Sequence, residues 1–220
     1  GYGKLAVPED VLTDLKKTQC NLLFTDMDGT LLNDKSEITP GTKAALDRMT
    51  AMGHHLILSS GRPLPSILEV RKLQGIDYPN TLIISNNGAL IYDCDTASDI
   101  LVHRLDMEDI RFIIGEAEKQ HLHIHAYTDT EIVCHELNDE LRFYTRRTHL
   151  PLKCVDNIAD SLEQGSFKLQ CIHLTDRSVL EHFRDHIMPH LGNRVQIICS
   201  SGQYLEILPA AAGKGRALLY

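Results

Sequence analysis

The run Leu22-Leu23-Phe24-Thr25-Asp26-Met27-Asp28-Gly29-Thr30-Leu31-Leu32 constrains the fold of this chain more than any other stretch. Its uninterrupted apolar start fits a parallel strand covered on both faces, and side chains just past the carboxyl end of such a strand sit where open α/β sheets bind ligands. Gly29 supplies the backbone angles of a sharp turn and lets backbone amides approach an anion. Asp26 and Asp28 are therefore expected to reach one ligand crevice together.

The order that follows is β-α-β-α-β. Thr39 is placed to cap a helix with Pro40 in its first turn, Leu46, Met49 and Met52 on one face, and Gly53 as its stop. A second strand runs from about His55 to Ser59, a helix ends near Gly75, and Leu82-Ile83-Ile84-Ser85 forms a third strand. The alternation predicts an α/β fold with a doubly wound, right-handed parallel core.

From residue 88 to residue 209 the rhythm changes. A hairpin over 89–93 and 100–105 precedes a helix from about Met107 to Lys119, after which strands and helices alternate. In His121-Leu122-His123-Ile124-His125-Ala126-Tyr127 the histidines and Tyr127 share one face and the apolar residues the other. The apolar face belongs on helices. The polar face fits a solvated surface, a substrate-facing wall or, least, a zinc site, and we carry forward substrate choice by His123 and His125 as the expectation to test.

With 22 basic and 30 acidic residues the formal charge is −8, and no Lys/Arg cluster alternates with aromatics, so nucleic acid is not an expected partner. An acidic chain that handles anions must concentrate positive charge locally. Cys20, Cys94, Cys134, Cys154, Cys171 and Cys199 form no Cys-x-x-Cys pair and read as reduced, mostly buried thiols of a cytoplasmic protein. Neither a leader peptide nor a membrane span is expected. Val11, Leu12 and Leu15 have helical spacing in an N-terminal extension over residues 1–20.

Asp26-Met27-Asp28-Gly29-Thr30 resembles the first motif of the haloacid dehalogenase (HAD) superfamily, and the run to Leu32 resembles its Cof-type, type IIB phosphatases. Leu56-Ile57-Leu58-Ser59-Ser60-Gly61-Arg62-Pro63 is similar to the second motif and Asn87-Gly88-Ala89 to the hinge into the cap. Leu205-Glu206-Ile207-Leu208-Pro209 followed by Lys214-Gly215 resembles the approach to the third-motif lysine. The resemblance implies a Rossmann-like core over 21–87 and 210–220 and an inserted α+β type IIB cap over 88–209. A fourth motif, with a further metal-binding aspartate, would lie beyond Lys214, where no acidic residue follows. The resemblance also implies two more core strands encoded after Tyr220; a protein lacking them would leave the first strand as an uncovered edge, inactive and prone to aggregate.

The chemistry of a phosphate monoester needs a nucleophile, proton transfer and charge neutralisation at one point. Asp26 would attack phosphorus and form an aspartyl phosphate, while Asp28 would protonate the leaving oxygen and must hold its proton more tightly than its neighbour. Mg²⁺ is the natural cation for such oxygens. By resemblance Asp26 binds it through its carboxylate and Asp28 through its backbone carbonyl, Ser60 hydrogen-bonds the phosphoryl group, and Lys214 neutralises charge. Gly29, Thr30, Gly61, Arg62 and Asn87 complete the expected substrate-binding set. The resemblance implies a phosphatase for a small phosphorylated metabolite, a sugar phosphate in the family pattern; a phosphomutase and a noncatalytic phosphometabolite-binding protein are the competing expectations.

Overall fold

The structure, a computed structural model, describes residues 20–146 and 150–219; the expected helix around Val11, Leu12 and Leu15 lies outside them. Three parallel strands open the fold: β1 (Leu22–Asp26), β2 (His55–Ser59) and β3 (Leu82–Ser85), with Phe24 beside Ile57 and Leu58 beside Ile83. Their connections carry α1 (Pro40–Ala51) and α2 (Leu64–Leu73). Thr39 caps α1 by accepting the Thr42 amide, and Pro40 enters where no helical amide partner is needed. Leu46 of α1 and Ile67 of α2 share one cluster with Leu56, Leu58 and Ile83, so both helices cover the same face. Right-handed crossovers stepping in one direction along a sheet require that outcome. Met52, expected on the buried face, is exposed at the C-cap, where the helix has already ended.

The hairpin expected to open the inserted unit belongs instead to the core. β4 (Leu90–Asp93) pairs antiparallel with β3, and β5 (Ser98–Val102) with β4, giving a sheet in the order β1-β2-β3-β4-β5. Asn86, Asn87 and Gly88 have φ of 48°, 56° and 90°, and this left-handed run turns the chain straight back against β3. Asn and Gly tolerate such angles best. Passage to the second unit therefore falls between Leu101, packed in the core, and Leu105, packed beyond it.

Gly88 also touches the returning chain: a Cβ there would lie 2.5 Å from the Gly213 carbonyl carbon. We expect Gly88→Ala to cost about 3 kcal/mol, from strain at positive φ combined with overpacking. Gly41→Ala in α1, where a Cβ meets nothing within 4 Å, is the matched control. Equal urea midpoints for the two variants would refute this account.

The second unit contains α3 (Met107–Lys119), β6 (His123–Tyr127), β7 (Ile132–Cys134), α4 (Asp139–Thr145), β8 (Leu152–Cys154), β9 (Leu169–Ile172), α5 (Arg177–Leu191), β10 (Val195–Ser201) and β11 (Tyr204–Pro209). Its sheet runs β10-β11-β9-β6-β7-β8, and the chain then re-enters the core through α6 (Lys214–Ala217). β6 starts later than the histidine alternation suggests, because His121, at φ 52°, still belongs to the turn after α3.

Strand alternation gives this sheet two unlike faces. Ile124, Ala126, Leu169, Cys171, Leu205 and Ile207 pack on Ile110 and Ile113 of α3 and Phe183 and Ile187 of α5. Each fully buried leucine, isoleucine or phenylalanine in this set stabilises the unit by about 1.5–3 kcal/mol. On the other face the register sets His125 beside Gln170 and Gln170 beside Glu206, a polar row across β6, β9 and β11. This row is turned towards the core sheet.

β1 lies at the edge of the core sheet, with Leu22, Leu23 and Phe24 exposed by 54%, 40% and 40%. A strand with uncovered apolar sides and open backbone groups is a site for further pairing. The thiols are less buried than expected: Cys134 and Cys171 are buried, Cys94 and Cys199 partly so, and Cys20 and Cys154 exposed, with no disulfide among them. Among the described residues no helix is long and apolar enough to cross a membrane.

Candidate active site

β1 ends at Asp26, and the chain folds back at once. Leu31 donates to the Asp26 carbonyl at 3.2 Å and Leu32 to that of Met27 at 2.8 Å, with Gly29 at φ 73° closing the loop. Asp26 and Asp28 face a cavity of about 500 Å³ between the two units. Ser60, Gly61, Arg62 and Lys214 complete its core side; Tyr144, Lys168, Gln170, Ser200, Tyr204 and Glu206 form the opposite wall.

Each carboxylate has its own cation. Lys214 Nζ donates to Asp26 Oδ1 at 2.6 Å, although 188 residues separate them in sequence. Arg62 forks Asp28, Nε to Oδ2 at 2.8 Å and a terminal guanidinium nitrogen to Oδ1 at 2.5 Å. Such bidentate pairs fix orientation as well as charge. Ser60 follows β2, is 2% exposed, and accepts the Arg62 amide at Oγ over 3.1 Å. Its own hydroxyl proton remains available to the cavity.

The structure thus gathers Asp26, Asp28, Ser60, Gly61, Arg62 and Lys214 at one place. Gly29 lines a neighbouring cavity with Asp28 and Arg62, and Thr30 lines neither. Asn87 stands at the junction: its Nδ2 donates to Glu206 Oε2 at 2.8 Å, and its Oδ1 leaves no room for a Cβ on Gly61.

His123 and His125 do not enter the cavity wall, contrary to expectation. The polar face of β6 was read correctly, but β9 and β11 lie nearer the core, so their residues occupy the wall and the histidines pack behind them. Burial pushes His123 down to about 4, and burial, followed by repulsion between positive forms of His125 and of His123 and Lys168, drives His125 well below the usual histidine value. Both rings are neutral at ordinary pH.

Lys168 and Glu206 were missed. Lys168 is 2% exposed; its Nζ lies 3.4 Å from Glu206 Oε1, 3.3 Å from the Gly61 carbonyl and 4.8 Å from the Tyr127 ring centre. Burial opposes its charge, but the Glu206 carboxylate prevails and holds its pKa above the usual lysine value. The alternation Ser166, Lys168, Gln170 against Phe167, Leu169, Cys171 carried the signal for this polar face. Glu206, alone among Leu205, Ile207 and Leu208, carried it too.

The Asp26 carboxylate and the Asp28 backbone carbonyl are hard oxygen donors, and Mg²⁺ commonly uses one or two carboxylates with waters and a phosphate oxygen. The donor set at Asp26 and Asp28 fits that ion. Among the described residues no three His, Cys, Asp or Glu side chains gather as metal ligands, so the alternating histidines do not assemble a zinc centre there.

An aspartate at the tip of the first parallel strand, paired with a lysine 188 residues away and sharing its cavity with a serine beneath a second α+β unit, gives the layout of a two-unit α/β hydrolase. Residues 23–220 match the haloacid dehalogenase-like hydrolases, and the chain belongs to that family. It is an enzyme of the phosphatase type. The chain is 26% identical to the 5-amino-6-(5-phospho-D-ribitylamino)uracil phosphatase YwtE of Bacillus subtilis, over 88% of this chain and 73% of that protein. Its fold superimposes on a haloacid dehalogenase-like hydrolase from Bacteroides thetaiotaomicron with a TM-score of 0.83 at 23% identity, covering 91% of this chain and 75% of the other. The HAD subclass IIB sugar phosphatase BT4131 follows the same fold at a TM-score of 0.73 and 18% identity, covering 90% of this chain and 73% of its own.

Proposed function

We propose that this chain hydrolyses a small phosphorylated metabolite, a sugar or polyol phosphate, through an aspartyl phosphate on Asp26 and with Mg²⁺ as cofactor. The observation that carries the reading is the 2.6 Å contact of Lys214 with Asp26 Oδ1 at the tip of β1, facing the cavity beside Ser60. Lys214 holds Oδ1, which leaves Oδ2 as the attacking atom. The Ser60 hydroxyl donates to a phosphoryl oxygen, and the Lys214 ammonium offsets the charge that gathers there. Asp28 accepts from Arg62 at both oxygens, so its part as proton donor requires it to exchange that fork for the leaving oxygen. Mg²⁺, held by the Asp26 carboxylate and the Asp28 carbonyl, would supply further neutralisation of the phosphate.

The polar wall opposite Asp26 favours a hydroxylated leaving group over an apolar one. The sugar phosphatase and the ribityl phosphate phosphatase among the similar proteins support the same class. Unpaired thiols are in keeping with a reducing, cytoplasmic setting. The test is a phosphate-release screen across sugar, polyol and alkyl phosphates, using the protein with whatever residues are encoded past Tyr220. We expect release that EDTA abolishes and added Mg²⁺ restores. Isomerisation of the ester without release would identify a mutase, and absence of any turnover would overturn the proposal.

A further inference from the structure

Behind the cavity wall runs a chain of hydrogen bonds that phosphate hydrolysis does not use. It begins at the N-cap of α4, where Asn138 Oδ1 accepts the Leu141 amide at 3.0 Å and so turns Nδ2 towards His123 Nδ1, 2.9 Å away. His123 Nε2 lies 3.0 Å from His125 Nδ1, and His125 Nε2 3.0 Å from Tyr127 Oη. Tyr127 Oη in turn lies 2.9 Å from Gln170 Oε1 and 2.6 Å from Tyr144 Oη.

Each link decides the next. An amide nitrogen only donates, so His123 accepts at Nδ1 and, being neutral, carries its proton on Nε2. His125 then accepts at Nδ1 and donates from Nε2 to Tyr127. Tyr127, which accepts from His125, then donates towards Gln170 Oε1, which cannot donate, and towards the Tyr144 oxygen. Two groups in the cavity wall are left over. Gln170 Nε2 belongs to a fully buried side chain and has no hydrogen-bond partner among the described residues. The Tyr144 hydroxyl, which accepts from Tyr127, keeps a lone pair on the same wall. An unsatisfied buried donor is costly unless a ligand meets it.

A donor beside an acceptor matches a hydroxyl group, which does both. We propose that Gln170 Nε2 and Tyr144 Oη form a subsite for a hydroxyl of the leaving group, with their polarity set by the one-way chain from Asn138 through His123, His125 and Tyr127. The inference rests on the reading of this cavity as the phosphate-ester site and adds what selects the ester. His125 is a positioning residue: it touches no substrate and acts by fixing which end of the Gln170 amide faces the cavity.

Titration calorimetry with the full chain tests this, using sorbitol 6-phosphate and butyl phosphate on an Asp26→Asn background that leaves both esters intact. Gln170→Leu and Tyr144→Phe should each weaken sorbitol 6-phosphate about tenfold, the worth of one hydrogen bond, and change butyl phosphate less than about twofold. His125→Phe should reproduce the selective loss, and His125→Gln, which still accepts and donates, should recover most of it. Equal losses for both esters, no loss for sorbitol 6-phosphate in the half-buried Tyr144→Phe variant, or no preference of the parent for the hydroxylated ester would each overturn the subsite. Turnover plays no part in this readout, so a parent without phosphatase activity would sink the proposed function and still leave the contrast between the esters to decide the subsite.

Discussion

Asp26→Asn is expected to lower phosphate release by about 10⁴-fold or more, the scale of removing the nucleophile from a covalent mechanism. The amide oxygen can still accept from Lys214, but it cannot attack phosphorus. Because the Asp26 and Lys214 side chains are 43% and 39% exposed, their pairing is screened by solvent. Stability should therefore change by no more than about 1 kcal/mol. The pair of measurements, phosphate release and urea unfolding, separates loss of chemistry from loss of fold. Activity retained in a folded Asp26→Asn protein would remove Asp26 as the attacking group.

Lys168→Met should be the most damaging single change to stability. It removes a buried ammonium and leaves the Glu206 carboxylate, itself largely buried, without its cation. Breaking one side of a buried pair costs about 3–5 kcal/mol, because the remaining charge stays desolvated. The contact from Lys168 to the Gly61 carbonyl, which ties the second unit to the core loop, is lost at the same time. Adding Glu206→Gln should recover much of the loss, since a neutral amide is cheaper to bury and can still accept from Ser200. A Lys168→Met protein within about 1 kcal/mol of the parent, or a double variant no better than the single one, would show that the pair is not the clasp described here.

The core was legible because its signals are local. Thr39 and Pro40 mark a helix start, the apolar run of β2 keeps a strand's length, and Asp26 and Asp28 follow β1 on a glycine turn. Ser60 and Arg62 came from the resemblance to a family motif just past β2, and both line the cavity. The hairpin of β4 and β5 was assigned to the wrong unit for an equally physical reason. Its alternation is that of any antiparallel pair, and only hydrogen bonding to β3 reveals which sheet it extends.

The histidine strand shows where local pattern stops. Alternation established that His123, His125 and Tyr127 share a face and that this face is polar. It could not say that β9 would pair between β6 and β11 and put its polar side chains in the cavity wall, because strand order in a sheet is settled by long-range pairing.

By itself, then, the sequence determined the element types of the core, since caps, turns and apolar periods act over a few residues, and its family resemblance named the residues proposed for phosphoryl chemistry. Only the tertiary structure brought Lys214 to Asp26, buried Lys168 against Glu206 and put Gln170 rather than His125 in the cavity wall. Those contacts join segments far apart in the chain, and the energy that selects them comes from covering two sheets at once.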